Sequence, residues 1–350
     1  METSEEIKLS GLIYMTDTAP GISRKGKPGA FFYTDKAGHR ITDEAQLERI
    51  QALVLPPAWI NVWIAPSKNA YLQATGIDAA GRKQYRYHHK WTSRRSDSKY
   101  YRLLEFGNVL PQVRKRIAKD LKRKEFDEQK VLAICVQVML KTFIRVGNEF
   151  YKQNYGSFGL STLRDKHAKI NGNTLKLDFV GKKGVKQEVT LNDKTLARLV
   201  KKCKEIPGQE LFQFYTQGKE RRSVDSGKIN DYIREITGSD FTAKDFRTWG
   251  GTLEALRQLA KCIFTQETER PKKKIIVEVL DCVASKLGNT RAVCKSSYVY
   301  PLLLEAFEND QLSKYLRQVN TEKPHTQFAM ENDEKVLMKF LKQARKDKVT

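Results

Sequence analysis

The spacing of apolar residues divides the chain into two stretches of different character. In the first, apolar positions alternate with polar ones or cluster in short β-branched and aromatic runs. Residues 10–16, 30–34, 58–65, 70–76 and 84–88 read as strands, because side chains on a pleated backbone point alternately to opposite faces. The Gly- and Pro-rich segment 20–29 separates the first two, and Pro56-Pro57 marks a turn before the third. Near Trp91 the pattern stops. Residues 92–98 are polar without apolar periodicity and read as an interdomain linker, after which a helical spacing sets in over 99–124.

The second stretch is mostly helical. Residues 131–144 are apolar nearly all round, as in a buried helix. A β interlude follows: 159–164, 169–170, 174–180 and 185–190 are strand-like, with Asn171-Gly172-Asn173 and Gly181-Lys182-Lys183-Gly184 as turns. Ile229, Tyr232, Ile233 and Ile236 then form a helical stripe that Gly238 can stop. Leu253, Leu256, Ala260, Ile263 and Phe264 form a second stripe. Ile275, Ile276, Val279, Leu280, Val283 and Leu287 form a third, ended by Gly288. Val336, Leu337, Phe340 and Leu341 mark a last helix, with Asn332 or Asp333 as its N-cap. The expected fold class is α+β: a β-rich N-terminal domain over residues 1–92 and a mainly α domain over 93–350 that carries a small antiparallel sheet.

Charge adds a partner to this picture. The 350 residues hold 64 Lys and Arg against 41 Asp and Glu, a formal charge of +23, and 40% are hydrophobic, enough for a sizeable core. Such an excess bears on partners, and a phosphate backbone is the natural one. A membrane fits poorly: no apolar run approaches the roughly 20 residues needed to cross a bilayer. The acidic, polar first ten residues do not read as a signal peptide. Cys135, Cys203, Cys262, Cys282 and Cys294 form no C-x-x-C pair, which fits reduced thiols of an intracellular protein. The adjacent His88 and His89 point in different directions with no second cluster facing them, so no metal site is expected. From Arg82 to Lys124 there are 15 basic residues and three acids, interleaved with Tyr85, Tyr87, Trp91, Tyr100 and Tyr101. That mixture reads as a DNA-facing surface rather than a merely solvated one.

Several chemistries can be set aside. There is no G-x-x-x-x-G-K-[ST] loop for ATP, no strong carboxylate cluster for a two-metal nuclease and no G-x-S-x-G elbow. What the chain offers instead is an ordered set: Arg145 in Ile144-Arg145-Val146-Gly147, Lys182 in Phe179-Val180-Gly181-Lys182, Lys244 and Arg247 in Lys244-Asp245-Phe246-Arg247-Thr248-Trp249-Gly250, Asn289 after Gly288, and Tyr298 nine residues later. Each alone has an ordinary reading. Arg145 can cap the helix before it, Lys182 can be a solvated turn residue with Lys183 as its competitor, and Asn289 can be a helix stop. Jointly they suit attack on a phosphodiester. Two guanidiniums bind nonbridging oxygens bidentately, an amide adds a donor, positive charge favours a phenolate nucleophile, and a lysine desolvated beside the arginines protonates the leaving oxygen.

These strings resemble those of the type IB DNA topoisomerases of the small poxvirus and bacterial kind: R-x-G, F-V-G-K, K-D-[LF]-R-T-[WY]-G, then G-[HN]-T with a tyrosine nine residues on, in this chain order. Gln84-Tyr85-Arg86-Tyr87 looks like the end of that family's short N-terminal domain. The resemblance covers most of the chain and picks Lys182 over Lys183. It implies a fold like that of the tyrosine recombinases and type IB topoisomerases. Arg145, Lys182, Arg247, Asn289 and Tyr298 would be catalytic, with Lys244, Tyr85, Arg86 and Tyr87 on DNA. Lys244 would either relay a proton or hold a phosphate. Asn289 stands where His is commoner, which removes acid–base chemistry from that position. The implied activity is relaxation of supercoiled duplex DNA by transient cleavage and religation of one strand through a 3′-phosphotyrosyl intermediate. No ATP, metal, small-molecule substrate or other cofactor would take part, and the enzyme would be a monomeric clamp, cytoplasmic and nucleoid-associated. A tyrosine recombinase is the near alternative, disfavoured by Lys244 in place of its usual His and by the β-rich N-terminal domain. A non-catalytic DNA-binding protein would explain the charge but not the ordered set.

Overall fold

The computed structural model describes residues 11–79, 81, 83–264, 271–319 and 330–347. The chain divides into two compact units, Met1–Tyr100 and Tyr101–Thr350. Part of the expected strand over 10–16 and Arg82 of the basic stretch lie outside the described residues.

The first unit is built on an antiparallel sheet of β1 (Ile22–Lys27), β2 (Ala30–Thr34), β3 (Ile60–Ile64), β4 (Leu72–Ile77) and β5 (Lys83–Tyr87), in the order β2-β1-β3-β4-β5. Helix α1 (Glu44–Ala52) lies between β2 and β3 in sequence, and Asp43 caps it by accepting from Gln46 N at 2.9 Å. Ile50 of α1 packs with Ile22, Val62, Ile64 and Ala74. Leu12, Tyr71, Leu72 and Trp91 form a second apolar cluster. Two expectations need correction here. The segment 20–29 is not only a separator, since it contains β1, whose run Ser-Arg-Lys-Gly-Lys is polar and hides its strand character. Pro28-Gly29 closes a tight β1–β2 hairpin, with Lys27 opposite Ala30. Residues 11–16, by contrast, contribute only an isolated bridge from Ile13 to Ala70.

Residues 92–98 are not an extended linker. They belong to α2 (His89–Leu121). The segment lacks an apolar stripe, yet it holds no Gly or Pro to break the helix. The central element of the second unit is α3 (Glu128–Thr142), capped by Asp127 and buried along most of its length. After α4 (Glu149–Tyr155) comes the sheet of β6 (Ala168–Asn171), β7 (Thr174–Val180) and β8 (Lys186–Asn192), antiparallel throughout. The expected strand over 159–164 is instead a 3-10 turn, Leu160–Thr162. Its amides are taken by other backbone: Leu160 N donates to Arg145 O at 2.8 Å and Ser161 N to Val146 O at 2.6 Å. Helix α5 (Lys194–Lys204), the short pair β9 (Gln213–Tyr215) and β10 (Arg221–Ser223), and α6 (Ser226–Thr237) follow, the last ended by left-handed Gly238.

The remaining helices frame the site: α7 (Ala243–Phe264), α8 (Lys272–Leu287), α9 (Arg291–Ser297), α10 (Pro301–Glu308), α11 (Ser313–Leu316) and α12 (Asn332–Asp347). The acidic start of α12 docks into a basic socket. Glu334, buried, takes a two-pronged bond from Arg114 at 2.7 and 2.9 Å and accepts from Trp249 Nε1 at 3.3 Å. Asp333 pairs with Arg257. No helix among the described residues is long and apolar enough to cross a membrane.

Removing one partner of a buried, hydrogen-bonded ion pair strands the other. Glu334→Ala should therefore lower the stability of the second unit by roughly 3–5 kcal/mol. Truncation of the adjacent exposed Lys335 should change it by no more than about 0.5 kcal/mol. Urea unfolding of both variants followed by helix signal measures the difference, and equal effects would show that the socket carries no stability.

Candidate active site

The site begins where α3 ends. Its C-cap, Phe143, is left-handed (φ 56°), which turns the chain sharply and leaves the Phe143 carbonyl facing away from its own helix. Arg247, one turn into α7, donates from Nη1 to that carbonyl and from Nη2 to Leu287 O at 2.9 Å. Arg145, two residues past Phe143, donates from Nη1 to Gly288 O at 3.0 Å and from Nη2 to Asn289 Oδ1. The last carbonyls of a helix lack intrahelical donors and carry partial negative charge. Both guanidiniums are thus held by helix ends rather than by carboxylates. The ordinary alternative for Arg145, capping the helix before it, is not what is found: it binds the end of α8, while Arg247 takes the end of α3.

Gly288 is the left-handed C-cap of α8 (φ 58°), and Asn289 N returns to Ala284 O at 2.9 Å. Asn289 therefore helps to stop the helix and also touches Arg145. Helix α9 follows, capped by Thr290, and Tyr298 closes it. The Tyr298 ring lies 4.9 Å from Arg247 Cζ. Burial raises the pKa of this phenol, because it disfavours the charged form. Arg247, Arg145 and Lys244 together outweigh that effect, so its pKa falls below the ordinary tyrosine value. Burial likewise lowers the Arg145 pKa, with the nearby Arg247 adding to the effect. Tyr300 is different. It is buried, starts α10 at its N-cap and packs edge-on against Phe340.

Two sequence features that the apolar pattern does not reveal hold this arrangement. Gly250 and Gly251, consecutive in α7, let two segments approach: a Cβ on Gly250 would collide with the Phe143 ring, and one on Gly251 would sit 2.7 Å from Tyr298 O. The fully buried Thr252 hydroxyl lies 3.2 Å from Tyr298 O and accepts from Tyr300 N at 3.2 Å, pinning the tyrosine segment to α7. The Gly-Gly pair is visible as a string, but only the packing shows its use.

Lys182 sits in the β7–β8 turn, exposed, with its ammonium 5.6 Å from the Tyr151 ring centroid. It lines one cleft together with Arg145, Asn148, Tyr151 and Gln187, whereas Lys183 does not. The expectation that Lys182 is desolvated beside both arginines is not met in the free protein: the turn projects it into solvent. Lys244 is exposed at the start of α7. In the first unit Tyr85 and Tyr87 share one face of β5, with rings stacked 6.0 Å apart, and Tyr85 is exposed. Arg86 turns the other way and donates to Leu53 O at 2.9 Å and Val54 O at 2.8 Å, so two backbone carbonyls occupy much of its fork.

Two buried donors, Arg247 Nε and Asn289 Nδ2, make no hydrogen bond of ordinary geometry to the described residues, although the Asn289 amide faces the Cys294 thiol. A buried donor left unmade costs about 1–3 kcal/mol, and here both unmade donors stand at one place beside a phenol and two cations. Donors and cations so placed suit an anionic oxygen. Among the described residues no group of three or more His, Cys, Asp or Glu side chains is gathered as a metal site requires.

Comparisons with known proteins place the chain among DNA topoisomerases. The chain matches the family described as eukaryotic DNA topoisomerase I, catalytic core, over residues 88–326, and that described as bacterial DNA topoisomerase IB, N-terminal domain, over residues 30–78. It is 32% identical to the DNA topoisomerase 1B of Acanthamoeba polyphaga mimivirus over 335 residues, 93% of this chain and 96% of that protein. It is 25% identical to the DNA topoisomerase I of Monkeypox virus over 231 residues, 66% and 70% of the two chains. It is 24% identical to the DNA topoisomerase 1 of rabbit fibroma virus over 240 residues, 67% and 72%.

The charges around the phenol are open to direct measurement. A spectroscopic titration of the native protein against Tyr298→Phe should place the Tyr298 ionisation below the usual tyrosine range of about 10. Lys244→Ala or Arg145→Ala should move it upward, because each removes a cation that favours the phenolate. Ionisation at or above the usual value would contradict the geometry.

Proposed function

The chain belongs to the type IB DNA topoisomerase family, and on that premise we propose that it relaxes supercoiled duplex DNA by breaking and resealing one strand through Tyr298. The observation that carries this reading is the half-buried Tyr298 phenol, held against Arg247 with its pKa lowered by three cations, next to two buried donors that make no hydrogen bond of ordinary geometry.

In the proposed reaction the Tyr298 oxygen attacks a backbone phosphorus and the bond to the 5′ oxygen of the next nucleotide breaks. Tyr298 is then joined to a 3′ phosphate. Arg145 and Arg247 bind the nonbridging oxygens, where their planar forks and permanent charge stabilise the pentacoordinate state. The Nε of Arg247 and the amide of Asn289 supply the further donors, and the amide cannot titrate near neutral pH, so its part is hydrogen bonding alone. Lys182 gives the leaving 5′ oxygen its proton, its long side chain swinging into the cleft once DNA fills it. The free 5′-hydroxyl end turns about the intact strand. The same hydroxyl then attacks the phosphotyrosine and restores the phosphodiester. One phosphodiester replaces another, so the cycle needs no nucleotide, and the residues that meet the phosphate are cations and an amide rather than metal ligands. We place Lys244 on a phosphate beside Tyr298, and Tyr85 and Tyr87 on the DNA from the first unit, with the monomer closing round the duplex. Arg86 serves by fixing the loop after α1 as much as by contact. Such an enzyme works in the cytoplasm, on the DNA of the nucleoid.

Relaxation of plasmids of either supercoil sign in EDTA, with no nucleotide, is the expected outcome. An absolute requirement for magnesium would sink the scheme. Denaturation in mid-reaction should trap DNA bonded through its 3′ phosphate to Tyr298. Tyr298→Phe should bind duplex and form no adduct, whereas Tyr300→Phe should still cleave. An adduct on Tyr300, or on a 5′ phosphate, would mean that the nucleophile is misassigned. Arg145→Ala should lose about 3–4 kcal/mol of transition-state stabilisation. Duplex affinity should fall with salt at a log–log slope near about −0.9 per neutralised phosphate. A flat response would refute a basic clamp.

A further inference from the structure

Gln187 is one of several polar side chains of the cleft that have no part in the scheme above. Gln187, on β8 opposite Phe179 of β7, lines the cleft with Arg145 and Lys182. It lies between two glycines that matter. Its Cγ would be 3.0 Å from a Cβ on Gly181, the residue before Lys182. Its carboxamide would collide with a Cβ on Gly288, the residue before Asn289 whose carbonyl holds Arg145. The stem of Gln187 thus runs beneath the lysine turn and its head rests on the cap of α8. It is half-buried, and the hydrogen bond it makes is weak, a 3.3 Å contact from Nε2 to the carbonyl of its own neighbour Lys186. A side chain selected for hydrogen bonding would be better partnered in the protein. One selected for its length needs only to fill the gap.

We infer that Gln187 is a positioning residue: it spaces the Lys182 turn from the Arg145–Asn289 end of the site, so that the proton donor and the phosphate-binding donors meet the same phosphodiester. The Lys182 side chain is exposed beside the Tyr151 ring, and its turn is closed by local bonds, Gly181 N to Val185 O at 2.8 Å and Gly184 N to Gly181 O at 3.2 Å, while Phe158 N on Val180 O at 2.8 Å ties its stem to the segment after α4. Those bonds set the shape of the turn but not its distance from α8. Gln187 sets that distance. Its two contacts crowd a Cβ at Gly181 and at Gly288, whose left-handed φ of 58° favours glycine independently. The inference rests on the reading of Lys182 as the proton donor.

The test uses the full-length protein and a duplex oligonucleotide whose cleavage site has been mapped by trapping the adduct. The duplex is made with either an ordinary phosphodiester or a 5′-bridging phosphorothiolate, whose sulfur leaves without a proton. On the ordinary duplex Gln187→Ala should slow single-turnover cleavage by about tenfold to a hundredfold, the scale of a misplacement near one ångström, with duplex affinity unchanged. Gln187→Met keeps the length and loses the amide, so it should recover most of the rate. On the phosphorothiolate Gln187→Ala should approach the native rate, as Lys182→Ala should. If Lys182→Ala is rescued by sulfur and Gln187→Ala is not, Gln187 does not act through Lys182 and the inference fails. The same holds if Gln187→Ala cleaves the ordinary duplex at the native rate, or if Gln187→Met is as slow as Gln187→Ala. Failure of sulfur to rescue Lys182→Ala, in a protein whose Gln187 is intact, would overturn the reading of Lys182 itself and the spacing role with it.

Discussion

The hold of Arg247 on two helix ends is the constraint from which the site follows. Its fork joins Phe143 O, at the end of α3, to Leu287 O, at the end of α8, and its face carries the Tyr298 ring. A buried guanidinium needs compensation, and a carboxylate is the usual source. Here the compensation is the dipolar end of each helix, which is negative enough to keep the cation buried but does not neutralise it. Arg145 is held in the same manner at Gly288. The two positive charges thus remain available to a ligand, and the same charges draw the Tyr298 phenol toward ionisation against the effect of its burial. A carboxylate partner would have stabilised the arginines better and spoiled them for an anion.

Much of this was legible in the sequence, and what was not has identifiable causes. The all-apolar run of α3, the stripes of α6 and α8 and the left-handed glycines that end them follow from local periodicity and from the lack of a Cβ. The order Arg145, Lys182, Arg247, Asn289, Tyr298 was readable as a pattern, and four of the five meet in the fold. β1 was hidden because an edge-proximal strand with Arg and Lys on it has no apolar alternation to show. The helical nature of 92–98 was hidden because polar residues do not announce a period. The partners of the two arginines were invisible for a more basic reason: a backbone carbonyl has no letter in the sequence. Arg247 is separated from Phe143 by 104 residues and Arg145 from Gly288 by 143, and nothing local signals either bond. Thr252 belongs to the same class, an ordinary residue whose neighbours make it matter.

The free protein keeps four groups assembled and one apart. Arg145, Arg247, Asn289 and Tyr298 are locked by backbone at the ends of three helices, while Lys182 rides on a hairpin in the same cleft, its ammonium over Tyr151. That division follows the chemistry. Groups that stabilise charge on phosphorus act best when their orientation is fixed beforehand. In the proposed reaction Lys182 hands over a proton, and an exposed turn leaves its side chain free to reach the leaving oxygen.

The glycine pair of α7 bears on how the molecule comes to be folded. Two interior glycines cost a helix about 1 kcal/mol each relative to alanine, so α7 is a poor helix by its own propensity. What offsets the loss is the close seating of the Phe143 ring and the Tyr298 backbone against those glycines, and both lie far away in sequence. The segment bearing Lys244 and Arg247 therefore gains its helical order together with its neighbours rather than ahead of them. Structure with such long-range dependence forms late and cooperatively. In a nascent chain Tyr298 and the arginines beside it are thus brought together by the same event that makes the second unit compact.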